Sequence, residues 1–200
     1  SRPASASSRV DVRDPDKLMR TEPIDALIEC SAEPSALAGN DGETAYTVHT
    51  NLTGAYNCLE LARLDDAQLV FLSTSRVYPV QAQRDLLYEE GKARFELSGE
   101  QKTRGASPAG ISEDFPLEGA RTLYGATKLA AELLIAEYAD GFGLRAVVDR
   151  CGVIAGPWQM GKVDQGVFRL LALPPPLRPA AQLHRLRRDR QAGSRPPARR

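Results

Sequence analysis

From Pro23 onward, short apolar runs alternate with longer stretches of helical period, and this confines the chain to an α/β fold built on a parallel sheet. Residues 24–30 read as a short buried strand that Glu33-Pro34 brings to an end. Residues 44–64 place Val48, Leu52, Ala55, Cys58, Leu59 and Ala62 at spacings of three and four, one face of a helix. The continuous apolar run 69–72 predicts a strand buried on both faces, with the hydroxyls of Ser73, Thr74 and Ser75 at its carboxyl end. Residues 78–115 are polar without a sustained period, which predicts a long surface excursion. Helical spacing returns over 123–138 and stops at Gly141-Phe142-Gly143, and 144–148 supply the next strand.

Two hundred residues with 42% hydrophobic content suffice for one domain with a real core. The 26 basic and 26 acidic residues cancel, so the chain as a whole has no general attraction to nucleic acid or to a membrane surface. The balance hides a basic end. Eight arginines stand between Arg178 and Arg200 against Asp189 alone. Cys30, Cys58 and Cys151 are far apart and each lies in an apolar stretch, which predicts buried thiols in a reducing, cytoplasmic setting. No run approaches the roughly 18 apolar residues of a membrane-spanning helix.

Tyr124 and Lys128 carry the clearest chemical signal. Four residues apart near the start of a helix, they emerge from one face about one turn apart. An ammonium a few ångströms from a phenol favours the phenolate and makes tyrosine usable as a proton acceptor. The hydroxyl cluster 73–75 ends one strand and this pair opens the next helix. All three groups can therefore meet above the carboxyl edge of the sheet, where open parallel sheets bind ligands.

On these residues the chain resembles, from about 11 to 168, the extended short-chain dehydrogenase/reductase family and its NAD-dependent nucleotide-sugar epimerases and dehydratases. Asp11-Val12-Arg13-Asp14 resembles the segment that contacts the adenine, and Ser31-Ala32-Glu33 the small-residue turn packed against the cofactor. Asn51 and Gly54 form an Asn-x-x-Gly helix motif. Leu72-Ser73-Thr74-Ser75-Arg76-Val77-Tyr78 resembles the strand that ends in the catalytic hydroxyl, at Thr74 with Ser73 and Ser75 as neighbours, and Tyr124-Gly125-Ala126-Thr127-Lys128 is the catalytic signature. Residues 150–157, with Cys151 and Pro157, resemble the segment beside the nicotinamide. Within the family, residues 119–129 and 150–162 look most like CDP-paratose 2-epimerase-type sequences.

The resemblance implies a Rossmann-like doubly wound parallel sheet and NAD as cofactor. It implies Thr74, Tyr124 and Lys128 as catalytic residues. Asp11, Val12, Ser31, Ala32, Glu33, Asn51, Ser73, Cys151 and Pro157 join Tyr124 and Lys128 as cofactor contacts. Ser75, Val153, Trp158 and Gln159 become contacts of a nucleotide-sugar substrate, although relatives usually place asparagine where Val153 stands. A homodimer is implied for the whole protein. Taken without the resemblance, Asp11 reads equally well as a residue that caps a turn, and a non-catalytic nucleotide-sensing or partner-binding protein on the same fold is the second functional reading.

Two features depart from the family. No Gly-x-x-Gly-x-x-Gly or Gly-x-Gly-x-x-Gly occurs anywhere, so the first βαβ unit and its pyrophosphate turn are expected to be missing and residues 1–10 to be a cut end. Residues 169–200 are expected to be a disordered basic tail in place of the substrate domain. The string 182–192 matches a family glycine-rich stretch read out of phase, which predicts a frameshift. Without interleaved aromatics, the tail's arginines offer only salt-sensitive, non-specific contact with nucleic acid.

Overall fold

The computed structural model describes residues 9–35, 39, 42–92, 94–154 and 156. The chain divides after Gly152. Pro157, Trp158, Gln159 and the arginine-rich end lie outside the described residues, as does the frameshift reading.

The first element is a single turn, α1 (Pro15–Leu18), with Pro15 at its first position and its amino end capped by the Asp14 carboxylate. Strand β1 (Ala26–Glu29) follows, then α2 (Thr44–Val48), a π-helical stretch (His49–Thr53) and α3 (Gly54–Leu64) as one continuous helical run. Strand β2 (Gln68–Thr74) passes into a 3-10 turn (Ser75–Val77) and α4 (Val80–Arg84). Two small hairpins, β3 (Tyr88–Glu90) with β4 (Phe95–Leu97) and β5 (Ala106–Ser107) with β6 (Gly110–Ile111), precede α5 (Leu123–Phe142) and β7 (Ala146–Cys151).

Strands β1, β2 and β7 form a parallel sheet with β2 in the centre. Leu69 and Phe71 on β2 pack with Ala55, Leu59 and Ala62 of α3 and Ala131, Ile135 and Tyr138 of α5, so both long helices cover one face. On the opposite face Ile28, Val70 and Val147 stand in register. Ile28 and Val147 are exposed and Val70 half-buried. The prediction that β2 is buried on both faces therefore holds for one face only.

Other differences are local. The sheet continues through Ser73↔Arg150 and Thr74↔Cys151, so Ser73 and Thr74 belong to β2 and Ser75 opens the 3-10 turn that follows it. Helix α5 runs through Gly141 and ends at Gly143, which takes the left-handed φ of 69° that a side chain would resist. The polar excursion is anchored by a small core of its own, Val77, Tyr78 and Phe115, with the two rings edge to face at 5.4 Å. Of the three thiols only Cys58 is buried; Cys30 is exposed and Cys151 half-buried.

Candidate active site

Thr74 closes β2 and is 8% exposed; its hydroxyl accepts a hydrogen bond from the Arg76 amide at 3.2 Å and so caps the 3-10 turn. Helix α5 approaches this turn end-on. Thr122 caps it by accepting from the Gly125 amide at 3.2 Å, and the Thr127 hydroxyl donates to the Tyr124 carbonyl. Gly125 lets the two elements touch, because a Cβ there would stand 2.1 Å from the Arg76 carbonyl oxygen. Contact this close brings the Tyr124 phenol into hydrogen-bonding relation with the Thr74 hydroxyl. Cys151, paired with Thr74 across the sheet, also faces the phenol.

Lys128, one turn further along α5, points inward. Its side chain is 2% exposed, with Nζ 3.6 Å from the Glu29 carboxylate and 3.9 Å from the centre of the Phe71 ring. Burial pushes this lysine below its ordinary value, and Glu29 works against that shift. Burial likewise holds the Tyr124 phenol above its ordinary value. The Thr74 hydroxyl and the Arg76 charge pull it down, while Cys151 and Glu29 push it further up. The expectation that Lys128 depresses the phenol is thus not met in this state: its ammonium is turned to Glu29.

The two remaining hydroxyls separate. Ser73 donates to Glu132, which also takes a bidentate pair of bonds from Arg150 at 2.7–3.3 Å. That leaves Thr74 as the hydroxyl that faces Tyr124. Ser75 is half-buried and lines a cavity of about 620 Å³ with Tyr78, Gln83, Glu132 and Arg150. Sequence reading missed the Glu132–Arg150 pair. The only available signal was a glutamate four residues beyond Lys128, on its helical face.

The segments expected to face a cofactor sit beside β1. Asp11 accepts from the Arg13 amide at 2.9 Å and pairs with its guanidinium at 2.6 Å, which holds the exposed carboxyl down at about 2. It therefore makes the turn that local sequence also predicted. Val12 packs where a Cβ on Gly54 would lie 2.7 Å from its methyl group, so the glycine of Asn-x-x-Gly seats this turn. Asn51, 1% exposed, accepts from the Glu33 amide at 2.7 Å and donates to the Glu33 carbonyl and to Thr127. Its amide ties the Ser31–Ala32–Glu33 turn to α5. Ser31, Ala32 and Glu33 are half-buried, and Val153 is exposed. Among the described residues there is no cluster of three potential metal ligands and no helix long and apolar enough to cross a membrane.

A parallel sheet covered by helices, with a hydroxyl and a phenol at its carboxyl edge and a buried lysine on the same helix as the phenol, makes this a Rossmann-like α/β domain. The family is settled by comparison. A model of the NAD dependent epimerase/dehydratase family matches residues 2–173, and the chain belongs to that family.

A dTDP-glucose 4,6-dehydratase of Mycolicibacterium smegmatis is 29% identical over 112 residues, 56% of this chain and 27% of that protein. A UDP-glucuronate 4-epimerase of Thermodesulfobacterium geofontis is 29% identical over 155 residues, 77% of this chain and 39% of that one. The chain thus spans well under half the length of these relatives. Among solved structures, Pal from Bacillus thuringiensis superposes with a TM-score of 0.59 at 25% identity, over 79% of this chain and 43% of that one. A UDP-galactose 4-epimerase, at 22% identity, shares the fold with a TM-score of 0.57, over 90% of this chain and 47% of that one.

Proposed function

We propose that the protein to which this segment belongs is an NAD-dependent nucleotide-sugar epimerase or dehydratase. The observation that carries the proposal is the meeting of Thr74 and Tyr124 at the carboxyl edge of the sheet, in a chain of this family. NAD, when bound, accepts hydride from a sugar carbon and returns it. Tyr124 takes the proton from the hydroxyl on that carbon, Thr74 hydrogen-bonds the reacting oxygen, and Lys128 supplies positive charge beneath the phenol.

The described residues fit one half of a dinucleotide. Small side chains at Ser31 and Ala32 leave the end of β1 open, and Gly54 allows the Asp11–Val12 turn to settle beside it. In this reading Asp11 and Val12 hold the adenine side and Ser31 to Glu33 line the cofactor, with Asn51 and Ser73 as supports, and Cys151 lies towards the nicotinamide. Ser75 faces the sugar nucleotide, and a CDP-linked sugar is the first candidate substrate. Exposed Tyr56, Leu64 and Leu133 on the outer faces of α3 and α5 favour a homodimer. With no glycine-rich turn to offset pyrophosphate charge, the 200-residue chain binds NAD weakly and has weak or no activity.

The test incubates the chain at high concentration with millimolar NAD and CDP-, UDP- and dTDP-linked sugars, followed by mass spectrometry of the sugar. Trace epimer or keto-sugar that disappears in Tyr124→Phe is expected. Product that persists in Tyr124→Phe removes the reading. Micromolar NAD affinity in a calorimeter would overturn the weak-binding part alone.

A further inference from the structure

Glu29 is the least explained charged group in the molecule. It ends β1, is 3% exposed, and its two oxygens have different surroundings. Oε1 accepts from the Ser31 amide at 2.7 Å, whereas Oε2 is buried with no hydrogen-bond partner and faces Lys128 Nζ at 3.6 Å. A carboxylate taken out of water costs several kcal/mol unless paired, and the Ser31 amide accounts for only one of the two Glu29 oxygens. We infer that Glu29 is a positioning residue for the reaction proposed above: it fastens the Ser31–Glu33 turn to the Lys128 ammonium and keeps that ammonium charged and turned inward.

The surroundings of Lys128 support this. Around it stand Glu29 at the end of β1, Cys30 just after that strand, the Phe71 ring on β2, Cys58 on α3 and Glu132 on its own helix. Phe71 offers only the negative face of a ring. Glu132 is already engaged by Ser73 and by the Nε and Nη2 groups of Arg150. Cys58 is a neutral thiol here, pushed up to about 12 by burial. Glu29 is therefore the carboxylate whose unshared oxygen is aimed at the lysine. The inference depends on the functional reading, since Lys128 has no proton chemistry to support outside it.

The test needs no turnover. In the full chain carrying [ε-13C]lysine, the Lys128 signal, assigned by its loss in Lys128→Arg, is titrated by NMR in wild type and in Glu29→Gln. The variant is expected to lose tenfold or more in proton affinity at Lys128, the scale of removing an opposite charge within ~4–6 Å. Glu29→Asp, which keeps the charge but withdraws it by one methylene, should show a smaller loss and is the measurement used if Glu29→Gln does not fold. An unchanged Lys128 midpoint in whichever variant folds overturns the inference. A Lys128 that responds to Glu29 in a protein without sugar chemistry leaves the inference standing and removes only the proposed reaction.

Discussion

The backbone of Gly125 lies so close to Arg76 that a methyl group on the glycine would stand 2.1 Å from the Arg76 carbonyl oxygen. Backbone cannot yield as a side chain can, so Gly125→Ala must push the first turn of α5 away from the 3-10 turn. Overpacking of this kind costs about 2–3 kcal/mol. Urea unfolding of the variant should show that loss. Its Tyr124 phenol, parted from Thr74, should also titrate at higher pH than in wild type.

The second prediction isolates the hydroxyl. Among the groups acting on Tyr124, burial raises its pKa and the Thr74 hydrogen bond is the largest opposing influence. Thr74→Val keeps the shape and removes the hydroxyl that donates to the phenolate. Ultraviolet titration of the phenolate should find Tyr124 ionising at higher pH, with the other tyrosines unmoved. An unchanged phenol would mean that the two side chains do not interact.

Much of this was legible in the sequence because it is local. The apolar runs located β1, β2 and β7, and the Thr74–Tyr124 meeting followed from one group ending a strand and the other opening a helix. The sequence reading failed where distant residues decide. Tyr78 and Phe115 form a core from positions with no shared periodicity. The pairing of Lys128 with Glu29 could not be read at all. It joins a helix to the end of a strand far earlier in the chain and turns the ammonium toward a carboxylate.

Asn51 shows how a binding motif can also be structural. Its buried amide satisfies the Glu33 backbone in both directions and reaches Thr127 on α5. Asn51→Ala strands the Glu33 amide, and losing these bonds should cost about 2–3 kcal/mol in denaturant unfolding. Amide exchange measured by NMR should accelerate at Glu33 while the centre of β2 stays protected. Uniform loss of protection would instead mean that Asn51 supports the whole fold.

Cys58 sets an alkaline limit on the fold. Burial lifts its thiol from about 9 to about 12, with the Glu29 charge adding to the rise. A folded-state pKa above the unfolded value means that the native state holds its proton longer. The stability this gives is complete below about 9 and is lost as pH rises through about 12. Tyr124 and Tyr138, both shifted upward, act in the same direction at higher pH. Lys128, shifted downward, acts oppositely: charging it is a cost to the native state that deprotonation relieves. Between pH 8.5 and 10 the thiol alone should cost about 1–2 kcal/mol. Cys58→Ala leaves a small void that lowers stability at every pH, so the informative quantity is slope rather than height. Urea unfolding at several pH values should show a flatter alkaline limb in Cys58→Ala than in wild type. Parallel limbs would show that the Cys58 thiol ionises alike in the folded and unfolded chain.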